Sequence, residues 1–93
     1  MERSQQLEVL RGEGRVRLAD RYVPVRYEIR RFQYFDDDVP TITGAQGVAT
    51  GLSRGDLGLA MGKVIELELD DRRKAQIIVE SDDGGFKVTG PIA

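Results

Sequence analysis

Ninety-three residues, 40% hydrophobic and 32% charged, suffice for one small soluble-type domain with a single core. Fourteen basic against sixteen acidic side chains leave a formal charge of −2 and a pI near 5.1, which argues against a dedicated nucleic-acid binder. The chain has no cysteine, histidine or tryptophan, which excludes disulfides, cysteine zinc sites, thiol nucleophiles, histidine triads and nearly every familiar transition-metal site.

The first residues, Met1-Glu2-Arg3-Ser4-Gln5-Gln6, have no apolar signal core behind their charges, and no apolar run in the chain approaches the roughly 18 residues of a membrane span. The expected location is therefore cytoplasmic, with no membrane partner. Residues 1–12 read as a loosely ordered lead-in, in which residues 5–10 form either a first strand or a short helix. Period-2 alternation then begins. Val16 and Leu18 alternate with Arg15 and Arg17, and Val23, Val25, Tyr27 and Ile29 with Pro24, Arg26, Glu28 and Arg30. Ala19-Asp20-Arg21 is the turn between them. Beyond Ile29 the apolar register moves to Phe32 and Tyr34, which predicts a β-bulge near Arg30-Arg31 or the end of the strand there.

Residues 36–46 read as a loop on composition, and residues 44–62 hold six glycines, with a possible short strand over 48–50. Residues 57–61 are apolar enough for a helical turn or a core-plugging loop. Ile65, Leu67 and Leu69 alternate with Glu66, Glu68 and Asp70. Ala75, Ile77 and Val79 follow, and Phe86 with Val88 closes the series. Asp70-Asp71-Arg72-Arg73 and Asp82-Asp83-Gly84-Gly85 are the intervening turns. Nineteen β-branched residues and eleven glycines against six alanines favour strands over helices. The expected fold class is all-β: a six- or seven-stranded, mostly antiparallel barrel built from hairpins, one domain over residues 1–93.

The acidic runs do not make a site. Three consecutive aspartates, Asp36-Asp37-Asp38, cannot converge on one cation and read as an exposed loop. Glu66 and Glu68 lie on the outer face of a strand, where cross-strand pairing with Arg72, Lys74 or Gln76 explains them better than acid–base catalysis. Residues 58–63 superficially suggest a phosphate-binding loop but are one residue short, and Val64 stands where a metal-holding Ser or Thr is required. No nucleophile–base pair is visible, so the chain reads as a non-enzyme without cofactor.

The arginines are the sharper signal. Eleven of the fourteen bases are arginine, and residues 1–35 carry +3 while residues 36–93 carry −5. Arg15, Arg17, Arg26 and Arg30 are expected on one outward face, with Arg21 at the turn, as a phosphate clamp or as edge-protecting charge. Arg17-Leu-Ala-Asp-Arg21, followed by the strand from Tyr22 to Ile29, resembles the arginine motif and opening strand of the PilZ domain. The segment from Val48 to Leu59 is similar to that family's second motif. It keeps Ser53, while Gly51 and Asp56 stand at the motif's other two positions. The resemblance runs over roughly residues 17–90. It implies a six-stranded barrel and a receptor for cyclic di-GMP, or another anionic ligand, using Arg17, Arg21, Ser53 and Arg54.

Independently of that resemblance, the first expectation is a non-catalytic binding module that docks on a protein partner. Its exposed apolar groups are expected to be Ile78, which points the wrong way for its strand, and Phe32 and Tyr34. Single-stranded nucleic acid is the third reading, with Tyr22, Tyr27, Phe32 and Tyr34 as stacking platforms, and the acidic pI opposes it.

Overall fold

The structure, a computed structural model, describes residues 2–93. Two long strands, β1 (Glu2–Leu18) and β2 (Arg21–Asp36), form a hairpin about the two-residue turn Ala19-Asp20, in which Ala19 takes φ 55°. A second two-residue turn, Asp37-Asp38, leads into β3 (Val39–Thr50). Both of its residues are left-handed, φ 47° and 66°. That is the geometry a tight hairpin requires and one that short polar side chains tolerate.

The loop expected over residues 36–46 is thus corrected. Of the three aspartates, Asp36 ends β2 and only Asp37 and Asp38 make the turn, and Val39, Thr41 and Thr43 resume a β-branched strand paired along β2, from Asp36↔Val39 to Arg26↔Thr50. The bulge expected near Arg30-Arg31 is present at that level of the ladder, but its extra residue, Leu7, is on β1 rather than β2. β2 runs straight through: the register shifts on one neighbour, β1, between Gln6 and Glu8, opposite Arg31 and Phe32, and on the other, β3, between Thr43 and Pro40, opposite Gln33 and Phe35. From Glu2 onward, the expected lead-in is strand.

A short helix, α1 (Arg54–Ala60), precedes β4 (Val64–Glu68), β5 (Lys74–Val79) and β6 (Gly85–Val88). The strands close into an antiparallel barrel in the order β1-β2-β3-β6-β5-β4. Residues after β6 run beside β5, where Thr89 N–H donates to the Gln76 carbonyl at 2.9 Å and Lys74 and Ala93 exchange hydrogen bonds at 2.8 and 3.1 Å.

Alternation places one side of each strand inside. Val16, Leu18, Val23, Val25, Tyr27, Ile29, Leu67, Leu69, Ile77, Val79 and Phe86 form the core with Ala49, Ala60 and Ala75. Gly12 and Gly14 let β1 press against the end of β4. A Cβ at Gly14 would run into the Glu68 carbonyl oxygen, and one at Gly12 into Tyr27 and Asp70. Gly84, at φ 89°, occupies the left-handed region in the β5–β6 turn and lies, without a side chain, against Ala49, whose N–H donates to the Gly84 carbonyl at 3.0 Å.

The barrel is much shorter than its first hairpin. β1 meets β4 only at Arg15↔Glu68 and Val16↔Leu67, and β3 meets β6 only over Gln46, Gly47 and Val48. Leu10 and Ala45 still pack against the core. Beyond them β1, β2 and β3 continue as a three-stranded arm with solvent on both faces, which accounts for a molecule 44 × 25 × 17 Å.

Candidate functional site

The four residues singled out by the sequence gather at the end of the barrel that the first hairpin turn closes, but only two of them touch a common group. Ser53 caps α1: its hydroxyl accepts from the Asp56 N–H at 3.1 Å, and the Asp56 carboxylate accepts from the Ser53 N–H at 3.1 Å. This reciprocal capping box satisfies two backbone donors that the helix itself leaves open. Asp56, buried against the barrel end, also receives the Arg21 guanidinium. The Ser53 backbone N–H and hydroxyl, and then Arg21, hold the Asp56 carboxyl below its usual range, against the opposing effect of partial burial.

Arg21 and Ser53 are therefore joined through Asp56, the residue at one of the two positions where the chain departs from the PilZ pattern. The signal was present in the sequence as Ser53-Arg54-Gly55-Asp56, a Ser-x-x-Asp capping box. Arg17 and Arg54 take no part. Arg17 lies on the outward side of β1 and lines a cleft with Leu59 and Lys63 rather than with Ser53.

The proposed arginine clamp on the outer face is largely neutralised within the fold. Arg15 pairs with Glu68 at 2.9 Å and stacks on Tyr22 at 4.2 Å. Arg26 reaches Glu13 at 3.4 Å, and Arg11 and Arg30 share Glu28 at 3.2 and 2.9 Å. Hydrogen bonds from Arg30 and Arg11 accordingly lower the Glu28 carboxyl from its ordinary value. The groove of about 420 Å³ between Arg11, Glu13, Arg26, Glu28, Val48 and Thr50 is thus walled by charges that already have partners. Glu66 faces Lys74 at 3.8 Å, the cross-strand pairing expected of it. Ile78 is half-buried opposite Val64. Among the described residues no group of carboxylates could hold a metal ion, and no helix is long and apolar enough to cross a membrane.

The arm presents a different surface. Register puts Val9, Phe32 and Tyr34 on its outer face, through the pairs Val9↔Arg30, Gln6↔Phe32 and Ser4↔Tyr34. Gly44 stands opposite Phe32, and the Tyr34 ring lies over the space a side chain at Gly44 would fill. Leu7, the bulged residue, is 51% exposed and Tyr34 40%. The move of apolar register beyond Ile29, legible in the sequence, is this change of face. Residues 2–11 of β1 have β2 on one side and, among the described residues, no strand on the other, before Gly12 and Gly14 close against the end of β4. Such an edge carries unpaired backbone donors and acceptors.

Comparison of the chain with family models, with curated proteins and with solved structures found no match in any of the three.

Proposed function

We propose that the protein is a cytoplasmic, non-catalytic interaction module that holds a protein partner along its three-stranded arm. The observation that carries this reading is the free edge of β1 over residues 2–11, flanked by exposed Leu7 and Tyr34. A strand edge of this length supports recognition by β-augmentation, in which the partner's extended backbone completes the ladder and its side chains meet the apolar groups on the face. The barrel supplies the rigid base that the arm lacks in itself, since an arm with both faces in water has no core of its own.

Photo-crosslinking in the native cell tests the proposal. A benzoylphenylalanine placed at Leu7 or Tyr34 is expected to give a discrete adduct, lost when Val9→Lys puts a charge on the edge strand, while one placed at Arg72 gives none. Adducts of equal yield from all three positions, or none from the arm, contradict the reading. An adduct of twice the chain mass identifies the partner as a second copy.

A receptor for cyclic di-GMP or another anion through Arg17, Arg21, Ser53 and Arg54 is the second reading. Its support is that Arg17 and Arg54 make no ion pair among the described residues, at the barrel end where Arg21 and Ser53 also lie. The Arg21–Asp56 pair has to open before Arg21 meets such a ligand. Amide shifts confined to residues 17–21 and 51–56 on titration with cyclic di-GMP support it, and a silent spectrum at millimolar nucleotide removes it.

A further inference from the structure

We infer that the cleft between the ends of β1 and β4 binds a small oxyanion bearing an apolar group, a carboxylate or a phosphate monoester. The ladder between these strands stops after Arg15↔Glu68 and Val16↔Leu67. Continued in register, it would bring Arg17, Leu18 and Ala19 opposite Glu66, Ile65 and Val64. Instead the two segments stand apart and, with Leu59 of α1 and Lys63, enclose about 390 Å³. That volume lies at the lower end of the range for small-molecule sites, roughly 300–1,000 Å³.

The charges in the cleft set it apart from the rest of the surface. Ten of the fourteen lysines and arginines form ion pairs, and among the described residues Arg17, Arg54, Lys63 and Arg72 do not. Two of those four, Arg17 and Lys63, line this one cleft. The carboxylate that shares it, Glu66, faces Lys74 on the neighbouring strand at 3.8 Å. The backbone at Lys63 is held in place by its surroundings. Gly62 turns the chain at φ 73° and donates to the Val79 carbonyl at 3.0 Å, and the Lys63 N–H donates to the Ala60 carbonyl at 3.0 Å.

The remaining wall is apolar and wet. Leu59 is 52% exposed and Val64 58%, so a ligand that covers them gains from removing that surface from water. A guanidinium that takes an oxyanion in two-pronged fashion, an ammonium beside it, and an adjoining hydrocarbon wall together select an anion with a short apolar tail over a bare anion or a neutral molecule. This site is separate from the arm and from the Asp56 pair, neither of which lines it.

The test is a titration of the ¹⁵N-labelled protein with hexanoate, phenyl phosphate, inorganic phosphate and hexanol. Saturable shifts at Arg17, Leu18, Ala19, Leu59, Lys63 and Val64 are expected with hexanoate, phenyl phosphate or both. Which anion binds more tightly tells carboxylate from phosphate ligand. Arg17→Gln and Lys63→Gln are each expected to weaken binding about tenfold while amides away from the cleft keep their positions. The inference is overturned if hexanol or inorganic phosphate produces the same saturable response. It is equally overturned if the shifts centre on Arg26 and Arg30, if the double variant binds undiminished, or if the cleft amides stay silent at millimolar anion.

Discussion

Arg21, the first residue of β2, and Asp56, in the first turn of α1, form an ion pair across thirty-five residues of chain. Because Asp56 also closes the capping box with Ser53, this contact ties the helix start to the hairpin turn at the barrel end. A helix of seven residues cannot hold itself together in water, so its position depends on such external ties and on the burial of Ala60.

Loss of the cap is expected to be measurable. Ser53→Ala should cost about 1 kcal/mol in urea denaturation, the usual consequence of removing an N-cap hydroxyl. Arg21→Ala should also destabilise, and the two together should lose less than their separate effects, since both act on Asp56. Strict additivity would show that the helix cap and the ion pair are independent.

Acid should weaken the fold through the same carboxylate. The folded Asp56 is held below its ordinary value of 3.8 by hydrogen bonds from Ser53 and then by Arg21. Its stabilising contribution is therefore complete above that value and is lost as pH falls through the lowered folded one. Glu28, Asp71 and Asp83 are lowered as well and act in the same direction. Denaturation midpoints measured between pH 2 and 7 should fall at the acid end, and Asp56→Asn should reduce that fall without abolishing it.

The seam between β1 and β4 should be sensitive to a single methyl group. Gly14→Ala sets a Cβ against the Glu68 carbonyl, part of a backbone that cannot swing aside as a side chain can. A loss of about 1–3 kcal/mol is expected, as for overpacking in a closed core. Gly58→Ala, which meets nothing, serves as the comparison and should be neutral or stabilising by helix propensity.

Tyr27 carries a second test. Its hydroxyl donates to Asp70 Oδ1 at 3.0 Å and accepts from the Asp70 N–H at 3.2 Å, under a barrel end that leaves the residue 5% exposed. Burial first, and the neighbouring Asp70 carboxylate, push the phenol above its ordinary value of 10.0. The stabilisation is thus complete below that value and is lost as pH rises through the raised one. Absorbance titration should show one of the three tyrosines ionising late, and Tyr27→Phe should remove that phase and cost about 1 kcal/mol.

The alternating strands were legible because the barrel buries one face, so every second residue of β2, β4 and β5 had to be apolar. The arm was not. Over residues 3–9, and at 39–41, 43 and 44, neither face is buried, and without a core the sequence carries no alternation to read. Of β3 only the short strand over residues 48–50 was marked, and its first half, behind the aspartates, read as a loop. The bulge was visible as a change of register in β2, yet it lies on β1, because pairing partners cannot be read from one strand alone. At the barrel end Ser53 and Arg21 were singled out as ligand-binding residues, and their connection to each other through Asp56 was missed. Lys63 went unnoticed because the surrounding glycines suggested a phosphate loop that the following strand rules out. That it lines one cleft with Arg17 depends on where two strands part.

Hydrogen exchange along β1 in the isolated protein bears most directly on the proposed role of the arm. In an antiparallel edge strand, successive N–H groups point alternately to the neighbour and to the open side. Residues 3–11 should therefore show slow and fast amides in alternation, with the phase broken at Leu7, and the fast set should become protected in the partner-bound protein. Unbroken protection in the isolated chain, or fast exchange at every position from 3 to 11, would contradict a folded arm with a free edge.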